Sequence, residues 1–402
     1  MLRLFTDREY GINNPLILSR AETTRRIFSL ELSKHRDVDR VQSGGINSMD
    51  IDLIESRYLL SGSSTGGISV HDLENFSGNV KHSYKYVCGV DRSNRYMHKH
   101  SIQTVQWYPL DTGIFTSSGT DKLLKVWDTN RLVPADTFEF STIVYSHHMS
   151  PIATKHNLLA VGCQGSTVKL VDLKAGSATH MLKGHKSCVM SVKWSTRDEF
   201  ILATGSADNR VLLWDVRTAK GHLMSLDQHN GEAASSVASS TTAHGGRVNG
   251  LSFTHDGLFL VTFGTDNRLR LWNTYTGKNC MVNYGSIEND SKKNVQIGLS
   301  QGGCPDVIFV PSDGNIDILD LHKGGYINTL RGHYNVVNCC LFNTNSHELF
   351  SGGSDRNILV WVPNTDSAYD DHLKEDSKSK QDPSFVKRIA ATADSWSSDE
   401  DE

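Results

Sequence analysis

The sequence lacks long apolar runs, and none approaches the roughly 18 residues that a membrane-spanning helix needs. Its first residues, MLRLFTDREYG, also lack the apolar core of a signal peptide. Cysteine is scarce, with seven residues and no CxxC pair, which argues against a disulfide framework and a zinc spacing. We therefore expect a reducing compartment, the cytosol or the nucleus, and no membrane partner.

Motifs for catalysis and cofactor binding are missing as well. There is no P-loop, no dinucleotide fingerprint and no HExxH. Ser146-His147-His148 is a tempting metal motif, but adjacent strand residues point to opposite faces and no ligand at a suitable spacing follows. We predict no catalytic residue, no metal and no cofactor, and hence a protein that is not an enzyme.

Charge is placed unevenly along the chain. The net charge is −4, and residues 366–402 hold 11 Asp and Glu against 5 Lys and Arg. The nearly neutral remainder has no overall electrostatic footprint for nucleic acid, so direct contact with DNA is not expected. Residues 365–402 are predicted to be a disordered acidic tail, in which Ser397 and Ser398 are candidate phosphorylation sites because each stands three residues before an acid.

The strongest positive feature is a constellation that occurs four times. In each copy an Asp stands six residues before a Trp, with a hydroxyl four residues before the Asp and a His 21 to 23 residues before it. The four sets are His100, Ser117, Asp121 and Trp127; His185, Thr204, Asp208 and Trp214; His244, Thr262, Asp266 and Trp272; and His333, Ser351, Asp355 and Trp361. A buried Asp needs hydrogen-bond partners, so we predict that the His holds it and is itself held by the hydroxyl and the indole N–H. These residues are therefore expected to be structural.

Three further copies, at residues 61–73, 158–173 and 307–321, keep the apolar alternation of a strand but lack the Trp. Seven copies 42 to 58 residues apart match the WD-repeat signature. The predicted fold is all-β, a seven-bladed WD-repeat β-propeller over residues 36–364. Its last blade needs an outer strand to protect its edge, and residues 37–43 are expected to supply it. The three blades without Trp are expected to be distorted.

Two helix starts precede the propeller. Residues 6–9 and 19–22 each fit a capping box, and residues 11–15 would end the first helix. Residues 1–35 are thus predicted to form a helix-loop-helix. Two interpretations remain open at this point: a brace packed on the blades, and a docking element for a partner.

Stretches outside the repeat consensus resemble the Cockayne syndrome group A family of WD-repeat proteins, from about residue 15 to the C-terminus. Among them are SRAETTRRIFSLELSKHRDVDRV, VYSHHMSP and LATGSADNRVLLWDVR. The resemblance implies a substrate receptor of a cullin-RING ubiquitin ligase that acts in transcription-coupled nucleotide excision repair in the nucleus. Receptors of that class dock on an adaptor, the large subunit of the damage-specific DNA-binding protein, and reach the cullin and RING subunits through it.

The same resemblance implies which residues meet each partner. Docking in that class uses a helix-loop-helix and a Trp-Asp-x-Arg box, which residues 214–217 match. The implied adaptor contacts are Arg217, Asp215, Arg20, Arg25, Ile27 and Leu30. The opposite face would hold substrates, in that family the Cockayne syndrome group B remodelling ATPase and other repair factors at stalled RNA polymerase II. By geometry alone, the candidates for that face are the residues next to the turn Asp, namely Thr120, Ala207, Thr265 and Ser354.

Other interpretations stay open on the residues alone. Arg217 could be a solvated turn charge, since nothing in blade architecture requires an Arg there. The whole chain could be a non-enzymatic scaffold propeller that assembles a nuclear complex without ubiquitin transfer, and it would then keep its partners in the absence of any cullin. A hydrolase that uses a propeller pocket is disfavoured, because no acid, base and nucleophile converge.

Overall fold

The structure is a computed structural model that describes residues 9–11, 14–77, 82–218, 221–231 and 242–364. By its internal contacts the chain divides into residues 1–362 and residues 363–402, and of the second unit only Pro363 and Asn364 are described. The predicted acidic tail, with Ser397 and Ser398, therefore lies outside the described residues. No helix in the described part is long and apolar enough to cross a membrane.

The described part of the first unit contains one long helix, α1 (Pro15–Phe28), followed by strands in seven separate sheets. Strand β1 (Leu30–Leu32) follows the helix. Blade 1 then contains β2 (Arg36–Val38), β3 (Ile46–Ile51), β4 (Tyr58–Ser63), β5 (Ile68–Ser77) and β6 (His82–Val90). In blade 1, the strands from β3 to β6 pair antiparallel in chain order, as their short connections dictate, and β2 pairs parallel with β6.

The next three blades repeat this meander. Blade 2 contains β7 (Ile102–Trp107), β8 (Ile114–Gly119), β9 (Leu123–Asp128) and β10 (Val133–Glu139). Blade 3 contains β11 (Val144–Met149), β12 (Leu158–Cys163), β13 (Thr167–Asp172) and β14 (Ser177–Lys183). Blade 4 contains β15 (Val189–Trp194), β16 (Ile201–Ser206), β17 (Val211–Asp215) and β18 (Met224–Ser225).

The last three blades complete the ring. Blade 5 contains β19 (Val248–Phe253), β20 (Phe259–Gly264) and β21 (Arg268–Asn273). Blade 6 contains β22 (Gly298–Leu299), β23 (Val307–Ser312), β24 (Asn315–Asp320) and β25 (Tyr326–Arg331). Blade 7 contains β26 (Val337–Asn343), β27 (Glu348–Gly353) and β28 (Ile358–Pro363), and β1 adds its outer strand. The prediction of an all-β, seven-bladed propeller is confirmed.

The predicted closing strand is wrong. Residues 36–38 form β2, which pairs parallel with β6 at the edge of blade 1, whereas blade 7 is closed by β1 beside β28. Ser33 continues this closure by donating its N–H to the Val360 carbonyl at 3.0 Å. The chain leaves α1 beside blade 7, so β1 is the first segment that can pair with that blade. The residues that follow β1 then cover the edge of the long strand β6.

The core lies between successive blades, where apolar faces of neighbouring sheets meet. The third-strand tryptophans are fully buried, as is typical of a propeller: Trp127, Trp214, Trp272 and Trp361. In blades 1, 3 and 6 the same position holds the buried side chains of His71, Val171 and Leu319. Blades 1 and 3 keep a first strand of six residues, whereas that of blade 6 has two, so the predicted distortion is found in blade 6 but not in blades 1 and 3. Blade 5 is also irregular, because residues 278–280 replace a fourth strand, and Cys280 donates its N–H to the Leu271 carbonyl at 2.8 Å.

Helix α1 begins earlier than predicted. Asn14 caps it, accepting the Leu16 N–H on its side-chain oxygen at 3.0 Å, and Pro15 occupies the first helical position. The prediction that Ser19 starts this helix is therefore wrong, because Pro15 suits a helix start as well as a helix end. The predicted first helix, at residues 6–9, lies almost entirely outside the described residues.

One side of α1 packs on blades 6 and 7. Ile27 is 0% exposed and belongs to the cluster that contains Phe309 and Trp361. The hydroxyl of Thr24 accepts the Cys304 N–H at 2.8 Å, in the connection between the first two strands of blade 6. The helix is thus a brace on the propeller, whatever else it does.

Candidate functional site

The four residues predicted to join in blade 4 do so in a chain of hydrogen bonds, called a tetrad below. The Trp214 indole N–H donates to the Thr204 hydroxyl at 2.8 Å, and that hydroxyl lies 2.8 Å from Nε2 of His185. Nδ1 of His185 lies 3.0 Å from Oδ2 of Asp208, which also accepts the Lys186 N–H at 2.8 Å. This arrangement ties the connection before β15 to the turn between β16 and β17.

Blade 2 corrects one residue of the prediction. His98, not His100, contacts Asp121 through Nδ1 at 2.8 Å and Ser117 through Nε2 at 2.7 Å, while His100 is exposed. The tetrad His is identified by its distance along the sequence from the next strand, because in each case it stands four residues before the first strand of its blade. The equivalent bonds form in blade 5 between His244, Thr262, Asp266 and Trp272, and in blade 7 between His333, Ser351, Asp355 and Trp361.

The tetrad aspartates are held in their charged form. Burial raises the pKa of Asp208, but the hydrogen bond from His185 and the N–H groups of Lys186 and Arg210 outweigh it, so that the pKa falls to about 2. The pKa of Asp266 is lowered in the same way by His244, with a further contribution from Arg270, whose guanidinium donates to it at 2.8 Å. These carboxylates are fully engaged inside the protein, so they serve the fold.

Hydrogen bonds within each tetrad blade define two faces. The N–H groups of Thr120, Ala207, Thr265 and Ser354 donate to carbonyls of Ser101, Cys188, Arg247 and Val336 at 2.8 to 2.9 Å. The turn between second and third strands therefore lies beside the connection that enters the blade, and we call this side the upper face. The other two connections of each blade form the lower face. All four substrate-face candidates lie half-buried on the upper face, and their contact with a substrate stays a prediction.

Arg217 lies on the lower face, two residues beyond the third strand of blade 4. Its guanidinium donates to both carboxylate oxygens of Asp215, at 3.0 and 2.7 Å, and lies 4.7 Å from the centre of the Phe200 ring. The hydrogen bond from Arg217 lowers the pKa of Asp215. Since the Arg217 side chain is still 56% exposed and the Asp215 side chain 12%, Asp215 orients the guanidinium while its outer donors face solvent.

The helix residues predicted to meet the adaptor divide into two groups. Arg20 and Arg25 are exposed, and Arg25 is paired with Glu22 at 2.8 Å. Ile27 and Leu30 are 0% and 1% exposed in the core between blades 6 and 7, so the prediction that they contact a partner is wrong. They are buried because the helix ends against the blades and β1 joins blade 7.

Sequence reasoning missed the side chains at the other end of the helix. Leu16 and Ile17, in the first turn, are 70% and 66% exposed, and the described residues place nothing over them. The indicator that could have found them is Pro15, because a helix that starts there places Leu16 and Ile17 about two turns before Thr23 and Thr24, which contact the propeller.

Helix α1 and Arg217 are on the same face. Cys304 and His347, which contact Thr24 and Thr23, lie between first and second strands of blades 6 and 7, where the lower face is. The lower face also exposes many large apolar side chains in its connections, including Leu53, Ile54, Leu110, Ile152, Leu258 and Tyr275. The described part of the upper face exposes Val41 and Tyr334. These side chains are spread over the connections of blades 1, 2, 3 and 5, so the described lower face is the more apolar of the two.

A cavity of about 510 Å³ opens inside the ring toward the lower face. Seven equivalent positions on the first strands line it: Asp50, Gln106, His148, Lys193, Ser252, Gly298 and Leu341. Oδ2 of Asp50 accepts the Trp107 N–H at 2.8 Å, yet burial raises the pKa of Asp50 to about 7. Burial likewise lowers the pKa of Lys193.

His147 and His148, the two histidines considered as metal ligands, make hydrogen bonds inside the protein instead. Both ring nitrogens of His147 lie within 2.9 Å of hydroxyls, those of Ser118 and Thr116, and Nδ1 of His148 accepts the Trp194 N–H at 3.0 Å. Within the described ranges, no three His, Cys, Asp or Glu side chains are placed to hold a metal ion.

Replacing Asp50 with Asn should stabilise the protein in mildly alkaline solution. A carboxyl whose folded pKa of about 7 exceeds its ordinary 3.8 contributes most below pH 3.8, and its contribution falls as the pH rises to 7. The Asn oxygen can still accept the Trp107 N–H, so about 1–2 kcal/mol of unfolding free energy should be gained at about pH 8. Melting curves at about pH 5 and pH 8 test this, and an equal gain at both would contradict it.

Comparisons with known proteins agree with this architecture. The family "WD domain, G-beta repeat" matches residues 91–128, 176–215, 234–273 and 324–362, each of which contains one tetrad. The WD repeat-containing protein ATCSA-1 of Arabidopsis thaliana is 33% identical over 95% of this chain and 100% of its own length. Radiation-sensitive protein 28 of Saccharomyces cerevisiae is 24% identical over 44% of this chain and 39% of its own length. A ribosome biogenesis protein WDR12 homolog of Drosophila persimilis is 28% identical over 44% of this chain and 38% of its own length, so such repeats serve several roles.

The likeness to ATCSA-1 extends through all seven blades, and the chain belongs to the same family of CSA-like WD-repeat proteins.

Proposed function

We propose that this protein is the substrate-recognition subunit of a cullin-RING ubiquitin ligase that acts in transcription-coupled nucleotide excision repair in the nucleus. It contributes no catalytic residue of its own. Its lower face docks on the ligase adaptor, the large subunit of the damage-specific DNA-binding protein, which brings the cullin and RING subunits. Its upper face holds substrates, the Cockayne syndrome group B remodelling ATPase and other factors at stalled RNA polymerase II.

The observation that carries this proposal is that α1 and Arg217 are on the same face. The helix and Arg217 give the lower face two features that are typical of a protein interface. Leu16 and Ile17 stand exposed at the start of a rigidly braced helix, and burying each fully is worth about 1.5–3 kcal/mol. Arg217 is held ready by Asp215 and Phe200, so little side-chain entropy is lost when its outer donors meet a carboxylate or a carbonyl.

The similarity to ATCSA-1, which covers 95% of this chain and 100% of that protein, supports the same assignment. The division into faces also suits a receptor. A substrate bound on the upper face is separated from the adaptor by the depth of the propeller, so both can bind at once.

Removing either lower-face feature should weaken adaptor binding. We expect Arg217→Ala to reduce the affinity for the purified adaptor by about 30-fold, the effect of losing an interface arginine worth about 2 kcal/mol. Leu16→Asp with Ile17→Asp should reduce it at least as much, and the acidic side chains suit a first helical turn, so α1 should persist. Isothermal titration calorimetry with the purified adaptor measures the affinity of both variants.

Arg247→Ala provides the matched control, since it removes an exposed arginine from the upper face. It should leave adaptor affinity unchanged. Full affinity in Arg217→Ala and in the double Asp variant, with normal melting curves, would contradict the proposal. Purification of the tagged protein from nuclear extract tests the alternative, a scaffold propeller without ubiquitin transfer. If other partners accompany the wild type but no ligase subunit does, the protein is such a scaffold.

A further inference from the structure

The upper face carries a set of basic side chains that none of the features above explains. They flank the tetrads, at the turns and connections that the tetrads fix. We call them the basic ring: Lys99, Lys122, Lys186, Arg210, Arg247, Arg268 and Arg356. Six of them are exposed and Arg210 is half-buried.

The positions repeat from blade to blade. Lys99 and Lys186 directly follow the tetrad histidines of blades 2 and 4, and Lys122 and Arg356 directly follow the tetrad aspartates of blades 2 and 7. Arg210 and Arg268 come two residues after the tetrad aspartates of blades 4 and 5, at the same turn. Because each tetrad ties its turn to the connection before the first strand, the basic side chains come together as one pair in each of blades 2, 4 and 5, and Arg356 stands alone in blade 7.

These charges are not neutralised within the described residues. None of the seven takes part in an ion pair there, and Arg268 donates only to the Gly285 carbonyl, at 3.1 Å. The tetrad aspartates offset them only in part, because four largely buried carboxylates, 4% to 13% exposed, stand against seven basic side chains. Like charges on one rim repel each other, so the arrangement favours binding of a negatively charged partner.

Exposed acidic side chains are fewer than basic ones around the rim. In the described connections of the upper face they belong to Asp91, Glu288, Asp290 and Asp313. Asp91 precedes blade 2, Asp313 lies in a turn of blade 6, and Glu288 and Asp290 flank Asn289, which bonds to the blade 5 turn. The described connections at blades 2, 4, 5 and 7 therefore present more exposed basic than acidic side chains.

The layout fits a peptide better than a nucleic acid. A short nucleic-acid duplex is a stiff, straight rod, whereas these side chains follow a circular rim, around which a flexible peptide can bend. Hydroxyls of Thr120, Thr265 and Ser354 lie between the basic side chains and can bond to peptide backbone. On the described upper face of the tetrad blades, Tyr334 in blade 7 is the one exposed Tyr, Phe or Trp, whereas single-stranded nucleic acids stack successive bases on several such rings.

We propose that the upper face binds an acidic peptide segment, whose Asp and Glu carboxylates pair with the basic ring. The inference rests on the proposed function in one respect, because it takes the upper face as the substrate side. It specifies the chemical class of the segment through which a substrate is held.

The test uses the full chain and a fluorescent peptide of ten glutamates, followed by anisotropy at physiological ionic strength, where screening acts beyond about 8 Å. A peptide of ten glutamines is the neutral probe and should not bind. Charge reversal of three exposed members in three blades, Lys99→Glu, Lys186→Glu and Arg247→Glu, should weaken glutamate-peptide binding by about tenfold or more. Unchanged melting of this triple variant ensures that the loss is local.

A matched control changes the net charge equally on the lower face. Arg131→Glu, Lys174→Glu and Lys278→Glu reverse three exposed charges in connections there, and this triple should bind the peptide as the wild type does. Equal losses in both triples, or full binding by the upper-face triple, would overturn the proposal. So would a 20-base-pair DNA duplex that binds more tightly than the peptide and is released by the upper-face triple.

The two proposals fail separately. Adaptor titration depends on Arg217 and α1, and peptide binding depends on the basic ring. Loss of the second alone would remove the acidic-peptide inference and leave the ligase receptor in place. Loss of the first alone would leave an acidic-peptide-binding propeller without a ligase.

Discussion

Replacing Trp214 with Ala should lower the free energy of unfolding by about 3–5 kcal/mol, the usual cost of deleting a large buried aromatic side chain. Trp214 is 0% exposed between blades 3 and 4, in a cluster with Val168, Leu182 and Leu202. Its ring also lies so close to Gly184 that a Cβ there would meet it at 2.8 Å, so the chain is shaped around the indole. Urea unfolding followed by circular dichroism measures the loss.

Trp214→Phe separates packing from hydrogen bonding. Phe retains most of the ring but cannot donate to the Thr204 hydroxyl, so this variant should lose only about 1–2 kcal/mol. If the Ala and Phe variants are equally unstable, the indole N–H outweighs the packing, contrary to this account.

Replacing Asp208 with Ala should cost about 3–5 kcal/mol, because it leaves a buried partner uncompensated. Nδ1 of His185 would lose its acceptor at 3.0 Å, and the Lys186 N–H its acceptor at 2.8 Å. Without this link, the upper-face turn of blade 4 is held to the connection before β15 less firmly, by bonds such as that from the Ala207 N–H to the Cys188 carbonyl. Melting temperature and urea midpoint report the effect.

The same side chain gives a pH signature. A carboxyl with a folded pKa of about 2 and an ordinary value of 3.8 stabilises the protein above pH 3.8 and loses this contribution as the pH falls toward 2. Asp208→Ala should therefore remove part of the acid sensitivity of the wild type. Asp208→Asn, which keeps an acceptor but not the charge, should be intermediate in stability.

Arg217→Ala supplies the contrast within the same stretch of sequence. As a side chain that is 56% exposed, Arg217 should change stability by no more than about 0.5 kcal/mol. If Arg217→Ala melts as low as Asp208→Ala, the division between a structural Asp and a partner-facing Arg is wrong. The two variants together thus test stability and docking independently.

The blade count, the strand pattern and three of the four tetrads could be predicted from the sequence. These features depend on spacings within one blade, and hydrogen-bond partners separated by a fixed number of residues recur whenever the strand lengths do. The Trp-less blades could be placed for the same reason, since Val171 and Leu319 fill the same position in the alternation as the tryptophans.

Tertiary structure decided the features for which local spacing offers two solutions. Both His98 and His100 stand near the required distance from Asp121, and the position of the first strand selects His98. Either of two short segments could close the ring, and the exit of α1 at blade 7 selects β1. These choices depend on which elements meet in space.

The residues predicted to bind the adaptor show most clearly what the sequence determines and what only the tertiary structure decides. The Trp-Asp-x-Arg box is visible in the sequence, because its partner Asp215 is only two residues from Arg217. Which helix residues remain free is not visible there, because Leu16 and Ile27 are equally apolar. Only the packing of α1 on blades 6 and 7 buries Ile27 and leaves Leu16 in solvent, since burial depends on what the rest of the chain places beside a residue.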